Sequence, residues 1–145
     1  MLIYLDNCCF NRPYDDQTHA KVFLETQAKL NIQENILIGR YKLVWSYILQ
    51  YENDQNPYIN HQQEIRKWKQ VASVWVAASA NIIAKANEYQ SYGIHAKDAL
   101  HCACAASVNA DYLLTTDKQL ITAAQKIPVL NVINPLTFIQ EETSR

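Results

Sequence analysis

The stretch between residues 93 and 117 constrains the fold more than any other. Gly93-Ile94-His95-Ala96-Lys97-Asp98-Ala99-Leu100-His101-Cys102-Ala103 is followed by Asn109-Ala110-Asp111-Tyr112-Leu113-Leu114-Thr115-Thr116-Asp117. The order reads as a loop, a helix opened by an acid, a short apolar strand, and an acid at the strand's end. Gly93, one of two glycines in the chain, closes whatever helix precedes it. Asp98 stands at or near a helix start, where the helix dipole favours negative charge. Ala99, Leu100, Ala103 and Ala106 are expected to form that helix's apolar face. Tyr112-Leu113-Leu114 is short and apolar, as a buried parallel strand is. Sites in open α/β sheets lie outside the carboxyl ends of strands. Asp98 and Asp117 are therefore expected on one rim.

The rest of the chain repeats the alternation. Leu2 to Leu5 is a short apolar strand with Asp6 at its tip. Asn7 to Asp16 carries turn residues and is expected as a loop. Val22, Phe23, Ala28, Leu30 and Ile32 predict a helix over about 18–34, with Thr18 as N-cap. Gly39 ends it. Lys42 to Trp45 reads as a second strand, Ser46 as the next N-cap, and Tyr47 to Asn53 as a short helix stopped by Asn56-Pro57. A polar helix follows over Tyr58 to Gln70. Val74-Trp75-Val76 favours a strand by its β-branched residues, although the flanking alanines permit helix. Ala80 to Tyr92 predicts a helix with Ile82, Ile83, Ala86 and Tyr89 on one face. A helix from Asp117 to about Gln125, a strand over Pro128 to Val132, and a short helix opened by Asn134-Pro135 complete the chain. Strands alternating with helices predict an α/β fold, a central parallel sheet flanked by helices on both faces.

At 145 residues the chain suits one domain, spanning 1–145, with a proper core. A net charge of −1 advertises no global basic field for a polyanion. It leaves open an enzyme that holds a polyanion through metal ions. No basic segment precedes an apolar run of signal length, and no run approaches the ~18 apolar residues of a membrane span. Cysteines at 8, 9, 102 and 104 do not form a disulfide-scaffold pattern. A reducing, cytoplasmic setting without membrane contact is expected.

Four acids fall at strand ends, helix starts or helix faces: Asp6, Glu52, Asp98 and Asp117. Most acids in such places are caps or solvated charges. A parallel sheet can nevertheless gather strand-end residues, and gathered carboxylates repel. A hard cation such as Mg²⁺ or Mn²⁺ removes that penalty, takes oxygen ligands and bridges to phosphate oxygens. Metal-assisted phosphodiester hydrolysis is the chemistry such a cluster best suits. Glu25, on the first helix, is a further acid that could face the rim.

Four blocks resemble the signatures of the PIN-domain family: Leu2-Ile3-Tyr4-Leu5-Asp6, Ser46 through Glu52, Lys97-Asp98-Ala99-Leu100-His101-Cys102-Ala103, and Leu113-Leu114-Thr115-Thr116-Asp117. They follow the family's order and span nearly the whole chain. The resemblance implies a Rossmann-like parallel sheet and a Mg²⁺- or Mn²⁺-dependent ribonuclease, with Asp6, Glu52, Asp98 and Asp117 as metal-holding, catalytic acids. Thr115 or Thr116 matches the family's hydroxyl residue, and Thr116 is expected to orient Asp117 or a water. Hydrolysis would leave a 5′-phosphate. Many small bacterial members are VapC-type toxins of toxin–antitoxin pairs, so the resemblance also implies an RNA substrate, a cognate antitoxin and a homodimer. The alternative is a PIN-fold binding or regulatory protein with little or no nuclease activity.

Other residues are weighed against plainer roles. Arg12 could contact a phosphate or serve as a structural ion-pair partner. Lys97, on the rim, could hold RNA backbone. His101, three residues after Asp98, is expected to pack or bond locally. Cys102 and Cys104 face different ways on a helix, and the four cysteines read as small buried hydrophobes. Arg66, Lys67 and Lys69 form a basic patch with Trp68 among them, on what is expected to be a solvated face. Trp45 and Trp75 read as core.

Overall fold

The structure is a computed structural model and describes residues 1–144. Among these, five strands make an all-parallel sheet: β1 (Leu2–Leu5), β2 (Lys42–Ser46), β3 (Val74–Val76), β4 (Tyr112–Leu114) and β5 (Val132–Ile133), ordered β3-β2-β1-β4-β5. Eight helices surround it: α1 (Asn7–Asn11), α2 (Ala20–Leu37), α3 (Tyr47–Asp54), α4 (Ile59–Val71), α5 (Ala80–Gln90), α6 (Ala96–Ser107), α7 (Lys118–Ala124) and α8 (Pro135–Thr143). The α/β architecture read from the alternation is the one observed. The register pairs Tyr4 with Val44 on one side and Leu113 on the other. The chain winds outward from β1 to β3, then returns to lay β4 on β1's free edge. Strand order therefore reverses between β1 and β4, and such a switch point opens a crevice at the strands' carboxyl ends.

Side chains alternate across β1. Ile3, Tyr4 and Leu5 are fully buried. Tyr4 points toward α6, where it meets His101, so Ile3 and Leu5 face the opposite layer. There α2 packs on α8, and Phe138 stands edge-on to Tyr41 and Tyr112. On the first face α5 and α6 form the most extensive helix pair. The small residues of α6 permit that closeness: Ala99, Cys102, Ala103, Cys104 and Ala105 are all buried.

Among the described residues, side chains fix five helix starts, that of α1 by Asp6 and four others. Ser46 accepts from Leu49 N, Ser79 from Ile82 N, Asp117 from Gln119 N and Leu120 N, and Asn134 from Leu136 N. Each satisfies a backbone donor that the helix cannot. Gly39 closes α2 at φ 85°, a left-handed conformation that glycine adopts without strain.

Several expectations are corrected. The segment expected as a loop after Asp6 is helical, with α1 followed by a single 3₁₀ turn over Arg12–Tyr14. Asp6 itself starts α1 by accepting from Asn7 N. Thr18 does not cap α2, which begins at Ala20 after His19; its hydroxyl donates to Asp16 instead. The buried face of α2 carries Glu25, Thr26, Lys29 and Gln33 beside Ala28, Ile32 and Ile36. Phe23 and Leu30, two of the apolar residues that predict the helix, are exposed. Ile83 points away from the face that buries Ile82, Ala86 and Tyr89. Trp75 is 60% exposed, because its β-strand lies at the sheet edge. Its indole donates to Lys69 O, and the Lys69 ammonium sits 5.0 Å over its ring. Trp45 is core, as expected.

Candidate metal centre and active site

The site forms where β1 and β4 end. Asp6 follows β1 and is almost wholly buried. Its Oδ1 accepts from Asn7 N at 2.7 Å, and its Oδ2 from the Thr115 hydroxyl at 2.8 Å. The Cys8 thiol also points at Oδ2, at 3.4 Å. Thr115 continues β4, and its backbone N donates to Ile133 O. The same Thr115 hydroxyl oxygen accepts from Asp117 N at 3.2 Å. One hydroxyl thus links the acid after β1 to the acid after β4. The expectation gave Thr115 or Thr116 as the site hydroxyl and had Thr116 orient Asp117 or a water; the Thr116 backbone N meets the Cys8 sulfur. Strand alternation explains the choice: Thr115 turns toward β1's end and Thr116 away from it.

Asp117 spends one oxygen, Oδ1, on capping α7. Asp98 lies in the first turn of α6, which His95 opens. Its carboxyl is pushed up to about 6 by burial and by the charge of Asp6, with His101 opposing and Asp117 and Glu52 adding further repulsion. Asp98 therefore feels all three other acids, which places the four carboxylates in one field. Glu52 reaches them from α3.

His101 ties Glu52 down. Its Nε2 is hydrogen-bonded to Glu52 Oε1 and lies 3.7 Å from Asp6 Oδ1. Its Nδ1 is 2.5 Å from the Tyr4 hydroxyl, which is 2.6 Å from Ser46 Oγ. Burial pulls the His101 pKa down, but the bond to Glu52 and the charges of Asp6, Glu52 and Asp98 outweigh it, and the net shift is upward. The ring thus bonds Glu52 through Nε2 and the Tyr4 hydroxyl through Nδ1. Ligand atoms of Asp6, Glu52 and His101 lie within 4.8 Å of one another. Both ring nitrogens of His101 are already engaged, so it serves the cluster as a support for Glu52 and the carboxylates remain as donors. The i, i+3 spacing from Asp98 was visible in the sequence; the partner, 49 residues earlier, was not.

The donor set fits a hard divalent cation. It is oxygen-rich and crowded with negative charge, and Asp6 is held at both oxygens in a fixed orientation. Among the described residues no cysteine joins that group of ligand atoms. Burial pushes Cys102 and Cys104 up to about 12, and the Cys9 thiol donates to Leu114 O.

Arg12 and Glu25 belong to a different structure. Glu25 is fully buried and accepts from Arg12 Nε at 3.0 Å, Arg12 Nη2 at 2.8 Å and Asn134 Nδ2 at 2.5 Å. Arg12 also donates to Asp15 at 2.9 Å. Its fork is spent on carboxylates, so it clamps the 3₁₀ turn, α2 and α8. Lys97 stands 5.7 Å from the Tyr51 ring centre, next to the site. Arg66 and Lys67 pair with Asp54 and Glu64 on an exposed face, and Trp68 packs against the core.

No protein-family model matches the chain, and no curated protein matches its sequence. Among solved structures, the fold is similar to one described as VapBC2 from Rickettsia felis bound to a DNA fragment from their promoter. The TM-score is 0.57 at 18% identity, over 92% of this chain and 98% of the matched one. The chain shares the fold of that structure, an α/β domain of the kind that the four blocks resembling the PIN domain imply.

Proposed function

We propose that this chain is a divalent-metal-dependent ribonuclease that hydrolyses RNA phosphodiesters. The observation that carries the reading is the meeting of Asp6 and Glu52 at His101, with ligand atoms within 4.8 Å of one another, beside an Asp98 carboxyl raised to about 6 by burial and by the charges of Asp6, Asp117 and Glu52. Folding such a cluster costs stability unless a cation joins it. Asp6, Glu52, Asp98 and Asp117 would hold Mg²⁺ or Mn²⁺. The ion, when bound, lowers the pKa of a water and stabilises charge on the phosphoryl group. The chain's own residues do the positioning. Thr115 and Asn7 N fix both oxygens of Asp6, His101 fixes Glu52, and the α7 backbone fixes Asp117 through Oδ1, with Oδ2 outside those bonds. Cleavage of this kind leaves a 5′-phosphate and does not require the 2′-hydroxyl.

The biological setting that fits is the toxin of a bacterial toxin–antitoxin pair, in a reducing cytoplasm. The solved neighbour is a VapBC2 assembly. All four cysteines are free. Among the described residues no helix is long and apolar enough to cross a membrane. A cognate antitoxin and a second copy of the chain are the proposed partners. The exposed apolar residues of α2 and its C-cap, Phe23, Leu24, Leu30, Leu37 and Ile38, offer surface for one of them.

The test is cleavage of a mixed RNA pool by the purified chain with Mg²⁺, with Mn²⁺ and with chelator, beside Asp98→Asn. Metal-dependent cutting that falls at least a hundredfold in the folded variant is expected. Undiminished cutting by Asp98→Asn would overturn the assignment.

A further inference from the structure

Beside the acid cluster, sharing Glu52 and Asn7 with it, lies a groove of about 420 Å³. It begins at Glu52 and runs past Asn7, Asn11 and Asn56 to Tyr14 and His61. Its volume is in the range of small-ligand sites. At the far end the Tyr14 and His61 rings stack face to face, 3.7 Å between centres and 7° from parallel. Tyr58 leans on the same imidazole at 5.1 Å. Tyr14 is 41% exposed and Tyr58 64% exposed, so aromatic surface is open to solvent.

The wall between platform and acids is built of amides. Asn11 Nδ2 donates to Asn7 O at 3.0 Å and to Asn7 Oδ1 at 3.2 Å. Asn56 Nδ2 donates to Asn11 Oδ1 at 3.3 Å, and Asn56 Oδ1 accepts from Tyr58 N at 3.1 Å. These bonds hold the wall rigid. Among the described residues the Asn7 Nδ2 group and the Gln55 side-chain amide make no hydrogen bond, and both line the groove. No lysine or arginine lines it, while Glu52 and Asp15 do. A phosphate is therefore not what this groove takes. Flat aromatic surface with unspent amides suits a neutral heterocycle with a hydrogen-bonding edge. Asn7 directly follows Asp6, so whatever lies along the wall starts at the acid cluster.

We infer that the Tyr14–His61 platform and the Asn7–Asn11–Asn56 wall form a nucleobase subsite for single-stranded RNA. It takes a base neighbouring the phosphate held at the acids, and it sets a base preference through Asn7 and Gln55. The inference rests on the ribonuclease reading for its choice of ligand.

The test uses the full chain carrying Asp98→Asn, with Mn²⁺, and four fluorescein-labelled hexaribonucleotides, A6, C6, G6 and U6, read by fluorescence anisotropy. The expected result is a preference among the four. Tyr14→Ala and His61→Ala, each checked for folding by thermal melting, should weaken the preferred oligomer by about tenfold or more. Tyr14→Phe and His61→Phe keep a stacking ring and should retain binding. Alanine variants that bind all four oligomers as the parent does would overturn the inference, as would no binding by the parent. Cleavage of the same oligomers by the chain with Asp98 intact separates the two readings. Base-selective binding without any cutting leaves the subsite standing and removes the nuclease. Metal-dependent cutting with unchanged KM and base preference in the alanine variants does the reverse.

Discussion

Asp98 concentrates the electrostatic cost of this site. It is an acid whose carboxyl is raised from 3.8 to about 6, first by burial and then by the charge of Asp6. The sign follows from linkage. Between about pH 4 and 6 the folded chain binds a proton there that the unfolded chain releases. Stability from this group therefore falls as pH rises through that window and stays low above it. At one unit per 1.36 kcal/mol, the loss is at most about 3 kcal/mol. With chelator present, Asp98→Asn should be more stable than the parent by about 1–3 kcal/mol at pH 7.5 and indistinguishable near pH 4, measured by urea unfolding. A variant less stable than the parent at pH 7.5 would contradict this. Residue identities at the acids were legible because each sits at a position that strand ends and helix starts define. The Thr115 link was offered only as one of two hydroxyls, since sequence does not show which side of a strand end faces the neighbour. The His101 bond to Glu52 was hidden for the same reason: it joins α6 to α3 across the fold.

At the scale of elements, α2 shows where periodicity misleads. Its buried face mixes Ile32 and Ile36 with Glu25, Lys29 and Gln33, while Phe23, Leu24, Leu30 and Leu37 face solvent. Burial pushes the Lys29 ammonium down to about 8. A hydrophobic pattern alone assigns such a helix a different inner face. What holds α2 is partly the clamp on Glu25, which also gathers Arg12 from the 3₁₀ turn and Asn134 from the start of α8. Arg12→Ala leaves a fully buried carboxylate without its cation and should cost about 3 kcal/mol in urea unfolding. The pair Arg12→Met with Glu25→Met should cost less than the single change, because no charge is left unpaired. A single variant as stable as the parent would contradict the clamp. By contrast, β1, β2, β4 and α6 were legible, since short apolar runs and a run of small residues leave few alternatives, whereas the last strand, expected over Pro128 to Val132, is Val132–Ile133. The Asn7–Asp16 stretch was not, because its turn residues build α1 and a 3₁₀ turn rather than an open loop.

For the whole molecule, topology makes the site. Only when β4 returns to β1's free edge do Asp6 and Asp117 become neighbours, and that return needs the crossover through α5 and α6 that also delivers Asp98 and His101. The alternation of elements predicted this parallel winding. It could not give the strand order, which decides what meets at the carboxyl ends. The same arrangement sets the groove of Tyr14 and His61 beside the acids and leaves the apolar stripe of α2 outside. The central claim is that four carboxylates act as one cation site. Titration of the metal-free chain with Mn²⁺, followed by isothermal calorimetry, tests it most directly. The account predicts saturable binding of one or two ions that is lost, at least tenfold in affinity, in each of the Asp6→Asn, Asp98→Asn and Asp117→Asn variants. Binding that survives unchanged in all three, or no binding by the parent, would contradict it.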